Sequence, residues 1–347
     1  MSIMVTGGAG YIGAHVVRLL LERGEDVVVV DDLSTGREDR VGEATLVELD
    51  VADGDAQQRL ELVMREREVD GVIHFAARKQ VGESVQRPAW YYQQNVTGLA
   101  NVLAAMEAVG ADRLIFSSSA AVYGMPDVEV VTEDTTPQPI NPYGETKLVG
   151  EWLIADAERA WGLRSASLRY FNVAGAGWAD LGDPAVLNLV PMVLDRLARG
   201  ERPTIFGDDY PTPDGTCVRD YIHVLDLAHA HLAALDRLGQ GEERVFNVGT
   251  GQGASVAEVI AEIGLPRNPA VGACWAGGAG PPRPDVGRRW CRCRCRPSRP
   301  RTPRRPRVRR SPRGRRRRRA ESSSRGRSDR AGRRRCRCRP RPSRPRG

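Results

Sequence analysis

Short apolar runs alternate with segments of helical period from the start of the chain to about Tyr170. Residues 3–5 and 27–30 are apolar along their whole length, 71–75 and 113–116 nearly so, broken by His74 and opened by Arg113, and all four read as strands. Between them, residues 12–22, 55–66 and 96–109 repeat apolar positions every three to four residues and read as helices. Strands with no polar face have to be covered on both sides, so the alternation predicts an α/β architecture with a doubly wound parallel sheet. A longer helix is predicted over residues 141–158, with Pro142 at a first helical position that needs no N–H donor, and a strand over 165–170 extends the sheet. Beyond it the texture changes. Clusters of Pro, Gly and Asp at 175–184 and 207–215 predict a smaller, loop-rich lobe, with short stretches such as 245–248 returning to the main sheet. The expected division is 1–175 for a nucleotide-binding domain, 176–270 for a truncated substrate lobe and 271–347 for a tail.

Charge separates the tail from the body. The whole chain carries a net charge of +8, but residues 281–347 hold 30 of the 52 basic residues against Asp285, Glu321 and Asp329 alone. The stretch 1–280 is therefore at −19 and the tail at +27. So acidic a body has no electrostatic reason to bind nucleic acid, whereas the tail would bind polyanions without discrimination. The tail contains no Lys, Leu, Ile or Phe, which leaves almost nothing to bury and predicts disorder. Its Arg, Pro, Gly, Ser and Cys bias is that of a GC-rich gene read out of frame; an arginine-rich arm that binds phosphates is the alternative. No segment reaches the ~18 consecutive apolar residues of a membrane span. With a strand already at residues 3–5 and Cys217 alone before Cys274, the expectation is a cytoplasmic protein without a signal peptide or disulfides.

The candidate chemistry begins at Gly7, Gly10 and Gly13, which follow the first strand and open the first helix. That placement allows a tight turn, close approach of backbone to a pyrophosphate and packing of helix on sheet, the marks of a Rossmann dinucleotide site. Asp31 closes the second strand, where its carboxylate suits a ribose diol and repels a 2′-phosphate, favouring NAD over NADP. Gly7, Asp31, Phe75 and Ser119 all fall at carboxyl ends of strands, where ligands of such sheets bind. Tyr143 and Lys147 share a helix face at four-residue spacing. A tyrosine is a poor base near neutrality, with an ordinary pKa of ~10, so Lys147 and the oxidised nicotinamide are expected to lower it, and Ser119 to bridge it to a substrate hydroxyl. Cys217 reads as a small core residue and His223 as a packing or hydrogen-bonding one. With His15, His74, His229 and His231 they show no metal spacing, and no metal is expected.

These motifs, with residues 74–85 (HFAARKQVGESV), 168–174 (LRYFNVA), 207–224 (GDDYPTPDGTCVRDYIHV) and 247–256 (NVGTGQGASV), resemble the extended short-chain dehydrogenase/reductase family, nearest its sugar-nucleotide 4-epimerases, over about three quarters of the chain. The resemblance implies that Tyr11, Ile12, Asp31, Asp32, Leu33, Ser34, Thr35, Gly36, Asp50, Val51, Phe75, Ala76, Ala77, Arg78, Lys79, Ser119, Tyr143, Lys147 and Phe171 surround NAD. It implies further that Asn172, Asn188, Leu189, Phe206, Arg219 and Tyr221 line a UDP-sugar pocket, that UDP-glucose and UDP-galactose are interconverted through oxidation at C4 and that the protein is a homodimer. Relatives that eliminate water carry an Asp-Glu pair after the catalytic hydroxyl residue; Ala120 and Ala121 stand there, which points away from a dehydratase. Two departures stand out. Gln93-Gln94-Asn95 stands where relatives carry an asparagine pair, and Asn95 is assigned the nicotinamide-side contact. Pro282-Arg283-Pro284-Asp285 is not the basic segment that relatives use to hold the pyrophosphate, so the pocket is expected to be incomplete. A catalytically lost NAD-binding scaffold with a polybasic nucleic-acid-binding arm is the alternative to an enzyme.

Overall fold

The computed structural model describes residues 1–128, 130–238 and 244–264. The arginine tail, with the expectations of disorder, of altered reading frame and of polyanion binding attached to it, lies outside them, as does Pro282-Arg283-Pro284-Asp285.

Seven parallel strands form the main sheet: β1 (Ser2–Thr6), β2 (Asp26–Asp31), β3 (Thr45–Glu48), β4 (Gly71–His74), β5 (Arg113–Ser117), β6 (Arg164–Tyr170) and a later strand, Val245–Val248. Their spatial order is β3-β2-β1-β4-β5-β6 followed by that seventh strand. The order reverses between β1 and β4, and a crevice opens at such a switch point beyond the strand ends. Consecutive residues of each strand serve opposite faces. Met4, Val28, Val30, Leu114 and Phe116 pack into one core cluster, and Ile3, Val5, Val27, Val29 and Ile115 into the other. This is why the strands read as nearly unbroken apolar runs. Each buried aliphatic side chain contributes roughly 1.5–3 kcal/mol relative to exposure.

The helices divide between the faces accordingly. Helix α1 (Tyr11–Glu22) packs through Val16, Val17, Leu19 and Leu20 on one side. On the other lie α2 (Ala56–Glu66), through Leu60 and Met64, and, after two short helices α3 (Val81–Gln86) and α4 (Pro88–Tyr92), helix α5 (Gly98–Val109), through Leu99, Val102 and Met106. The expected helix start at 96 is replaced by a π-helical turn over Gln93–Thr97 before α5, a distortion that recurs at functional sites. Helix α6 (Pro142–Trp161) begins at an Asn141 cap whose Oδ1 accepts the Gly144 N–H at 2.9 Å and runs three residues past the expected end.

A second sheet joins β7 (Asn172–Ala174), β8 (Val218–His223) and a strand at Gly253–Ser255, with β7 parallel and Gly253–Ser255 antiparallel to β8. The seventh strand of the main sheet is thus β9 and Gly253–Ser255 is β10 in chain order. Helix α7 (Leu189–Ala198) and α9 (Val256–Gly264) accompany this small sheet, while α8 (Val224–Arg237) packs on the main sheet beside α1. No helix among the described residues is long and apolar enough to cross a membrane.

Two buried histidines give the fold a pH dependence. His74 Nδ1 lies 2.7 Å from Thr6 Oγ1, and His231 Nδ1 lies 2.9 Å from Leu227 O. Burial pushes His74 down to about 3 and His231 down to about 4. Both are neutral in the folded chain and take up protons on unfolding, so the unfolded state binds more protons below the ordinary histidine value near 6.5. Stability is expected to fall as pH drops from about 6.5 towards 4. Melting temperature measured across that range checks this, and replacing His231 by Met should flatten the slope; an unchanged slope would remove this account.

Candidate active site

The chain leaves β1 at Thr6 and enters α1 through the glycine loop. Gly7 has φ +72°, and a Cβ there would lie 2.7 Å from Ala76 N. A Cβ on Gly13 would lie 2.3 Å from Gly7 O. These two glycines are required by the chain's own packing. Gly10 is not: its backbone is ordinary (φ −78°, ψ −177°), and a Cβ would meet only Gly7 O, at 3.2 Å. The side chain missing at Gly10 leaves room above the loop rather than within it. Helix α1 has no acidic residue in its first turn, so its N-terminal N–H groups face that room without a competing carboxylate. The cradle fits a pyrophosphate.

Asp31, buried at the end of β2, borders the cradle. Its Oδ2 accepts the Ala9 N–H at 3.0 Å and its Oδ1 the Leu33 N–H at 2.9 Å. Burial pushes its carboxyl above the ordinary value, and the two N–H groups act against that. Leu33 takes a left-handed φ of 53°, an uncommon conformation for a branched residue and one of local strain. Asp32 behaves differently from its neighbour. Burial works against its charge, yet Ser34 and Arg78 together hold it below the usual carboxylate range. Arg78 Nη2 lies 2.5 Å from Asp32 Oδ2; Nη1 donates to Ser34 Oγ and Nε to Gln94 Oε1 at 2.9 Å. Gln94 in turn donates to Asp50 Oδ2 at 3.0 Å. Val51 is buried beside Gly98, and Thr35, Gly36, Ala77 and the exposed Lys79 lie on the loops of this rim.

Asn95 is fully engaged within the protein. Its Oδ1 accepts the Arg78 N–H at 2.7 Å, and its Nδ2 donates to Arg78 O at 3.0 Å and Thr146 Oγ1 at 2.9 Å. It braces the loop after β4 against α6. Gln94 and Thr146 are members of this rim that the sequence did not reveal, because their partners Arg78, Asp50 and Asn95 are remote in the chain and no periodic signal links them.

Gly144 lets α6 approach the segment after β5, since a Cβ there would lie 2.6 Å from Ala121 O. Tyr143, Lys147 and Glu151, one turn apart, thereby meet three consecutive serines. Lys147 Nζ donates to Ser117 O at 2.8 Å and the Ser118 hydroxyl donates to Glu151 Oε1 at 2.5 Å, while Ser119 lies close enough to Tyr143 to act on its phenol. Ser119 also caps the 3-10 turn Ala120–Tyr123, accepting the Ala121 N–H at 3.2 Å. The lowering of Tyr143 is expected from Lys147 together with a bound nicotinamide; in the free chain burial pushes the phenol up, and Ser119 acts against it. The physical reason is that desolvation of the phenol dominates, while the Lys147 ammonium is turned to Ser117 O; Lys147 is buried as well. Burial lowers its ammonium to about 8, with the Glu151 charge opposing.

Five of the six residues assigned to a substrate, Asn172, Asn188, Leu189, Arg219 and Tyr221 but not Phe206, line one cavity of ≈ 190 Å³ beside β7 and β8. Leu189 also borders a neighbouring cavity of ≈ 210 Å³, where the exposed Phe206 is found. Cys217 corrects the sequence reading: it is half-buried and lines both cavities rather than the core, because β8 belongs to the small second sheet. His223 Nδ1 accepts the Leu225 N–H at 3.2 Å and caps α8, a hydrogen-bonding role. Tyr11 and His15 tie α1 to the loop after β7, through Tyr11 Oη to Gly175 O at 2.5 Å and the Gly177 N–H to His15 Nε2 at 3.0 Å. Among the described residues no cluster of three or more His, Cys, Asp or Glu side chains is arranged to hold a metal.

Comparison with known proteins places this geometry. Residues 3–249 match the NAD dependent epimerase/dehydratase family. The UDP-glucose 4-epimerase of Corynebacterium glutamicum is 48% identical over 265 residues, 75% of this chain and 78% of that protein. The crystal structure of the Brucella ovis UDP-glucose 4-epimerase in complex with NAD superposes with a TM-score of 0.72 at 44% identity, covering 76% of this chain and 82% of that one. The Bifidobacterium longum enzyme in complex with NAD+ and UDP gives 0.69 at 40% identity, with coverage of 75% and 82%.

Proposed function

The chain belongs to the NAD dependent epimerase/dehydratase family, and on that premise we propose that Tyr143, Lys147 and Ser119 act on the C4 hydroxyl of a UDP-sugar held between the glycine loop and the small sheet. The protein is an NAD-dependent UDP-sugar 4-epimerase. One observation carries the assignment of residues. The stripe of α6 meets the serines at the carboxyl end of β5, on the same edge of the parallel sheet as the strand ends that carry Gly7 and Asp31. UDP-glucose and UDP-galactose are the pair of substrates, a choice supported by the relatives of that name.

The glycine loop and Asp31 would hold NAD, which would supply a reversible hydride acceptor for C4. The chain's own residues manage the proton and the position. Tyr143 takes the proton of the 4-hydroxyl, directly or through Ser119, and gives it back after the sugar has presented its other face. Lys147 supplies positive charge beside the phenol. Arg219 and the amides of Asn172 and Asn188 suit the phosphates and the nucleotide, which have to stay anchored while the sugar turns. Ala120 and Ala121 follow Ser119, so no carboxylate stands where a dehydratase needs one. Residues 1–175 are assigned to the cofactor and 176–270 to the substrate, with α8 and β9, among the described residues, returning to the main sheet. A homodimer and a cytoplasmic location complete the reading.

Incubation of the purified protein with UDP-galactose tests it. The expected result is formation of UDP-glucose with no accumulation of reduced cofactor. Stoichiometric reduced cofactor would indicate a dehydrogenase, and a 4-keto-6-deoxy product a dehydratase; either outcome, or no conversion at all, overturns the proposal.

A further inference from the structure

The mechanism uses two of the three α6 side chains that meet the serines. The third, Glu151, is held as tightly as either. Its Oε1 accepts the Ser118 hydroxyl at 2.5 Å and Arg169 Nε at 2.9 Å, and its Oε2 faces Arg169 Nη2 at 2.5 Å. Both partners of this ion pair are almost completely buried, each side chain 6% exposed. Arg169, on β6, also donates through Nη1 to the Tyr123 hydroxyl at 2.9 Å, and Tyr123 donates to Asn247 Oδ1 on β9 at 2.7 Å. A carboxylate one helical turn from Lys147 is thereby fixed by bonds from the residue after β5 and from β6, and through Tyr123 from β9. A buried ion pair is weak evidence of a stabilising role, since apolar replacements of like volume are often as stable. Its place beside the lysine calls for another explanation.

We propose that Glu151 is a positioning residue for the reaction: locked by Arg169 and Ser118 one helical turn from Lys147, it supplies the negative charge that keeps the Lys147 ammonium charged beside Tyr143. The inference rests on the reading of Tyr143 and Lys147 as catalytic residues. The other groups around Lys147 cannot take this part. His74 on β4 is neutral, the Tyr170 phenol on β6 is pushed up by burial, Tyr143 is pushed up likewise, and the Phe116 ring on β5 lies 5.0 Å from Nζ. Arg169 is a second cation, which Glu151 also neutralises.

The chain offers a direct measurement, because Lys79 and Lys147 are its only lysines. Lysine labelled with carbon-13 at Cε gives two resonances, and replacing Lys79 by Arg assigns the one from Lys147. In the otherwise unaltered full chain Lys147 should titrate near pH 8. In E151Q its midpoint should fall by about one pH unit, the scale of one charge a helical turn away, and the alkaline limb of turnover should move down with it. Should E151Q fail to fold, R169Q leaves the Glu151 charge without its neutralising partner and should move the Lys147 midpoint up instead. A Lys147 midpoint unchanged in a folded variant overturns the proposal, even if activity is lost. A shifted midpoint in a protein without epimerase activity would uphold it and place the fault in the catalytic reading instead.

Discussion

Replacing Tyr143 by Phe is expected to lower turnover of UDP-galactose by about 10³-fold or more while leaving bound NAD and the melting temperature little changed. The substitution removes one hydroxyl and no volume. The group lost is a buried hydroxyl, and a single hydrogen bond of such a group contributes roughly 0.5–1.5 kcal/mol to stability. The effect on chemistry is far larger, because no other proton acceptor of the catalytic stripe can replace it: Lys147 is cationic below about pH 8, and the Ser119 hydroxyl is too weak a base to act alone. Steady-state turnover, bound dinucleotide and thermal melting of the variant check all three parts together. Activity within tenfold of the parent would end the role given to Tyr143.

The second large effect concerns the cofactor. Gly10→Ala should fold normally yet bind NAD about 100-fold more weakly, a loss near 2.7 kcal/mol. Gly13→Ala should instead lose stability. The difference follows from what each added methyl meets: at Gly10 only Gly7 O at 3.2 Å, at Gly13 the same oxygen at 2.3 Å with Gly8 Cα at 2.8 Å. Overpacking of the second kind typically costs about 1–3 kcal/mol. At Gly10 the methyl instead fills the room that the pyrophosphate requires at the start of α1. Titration of NAD against each variant, with its melting curve, separates the two. Normal NAD binding by a stable Gly10→Ala protein would show that the room above the loop belongs to no ligand.

Some of this site could be read before any coordinates. The apolar strands were legible because both faces of the sheet are covered, so Val27 to Val30 carry no polar break. Tyr143 and Lys147 were legible because four residues make nearly one helical turn. The second sheet was not. Its strands β7 and β10 are very short, and β8 pairs with both across long intervening stretches of chain, so there was too little pattern to detect. Helix α8 also went unrecognised, although its apolar positions, Leu227, Ala228, Leu232 and Leu235, have helical spacing. The ordinary signal there was obscured by the histidines among them.

The sequence by itself determined the parallel sheet, the glycine loop and the helical spacing of the phenol and the ammonium, because each depends on residues close together in the chain. Only the tertiary structure decided the electrostatics of those groups. Burial of Tyr143 raises its phenol, burial of Lys147 lowers its ammonium, and the Glu151 charge that counters this is itself held by Arg169 on another element, β6. Desolvation depends on everything packed around a group, and local spacing carries no record of it.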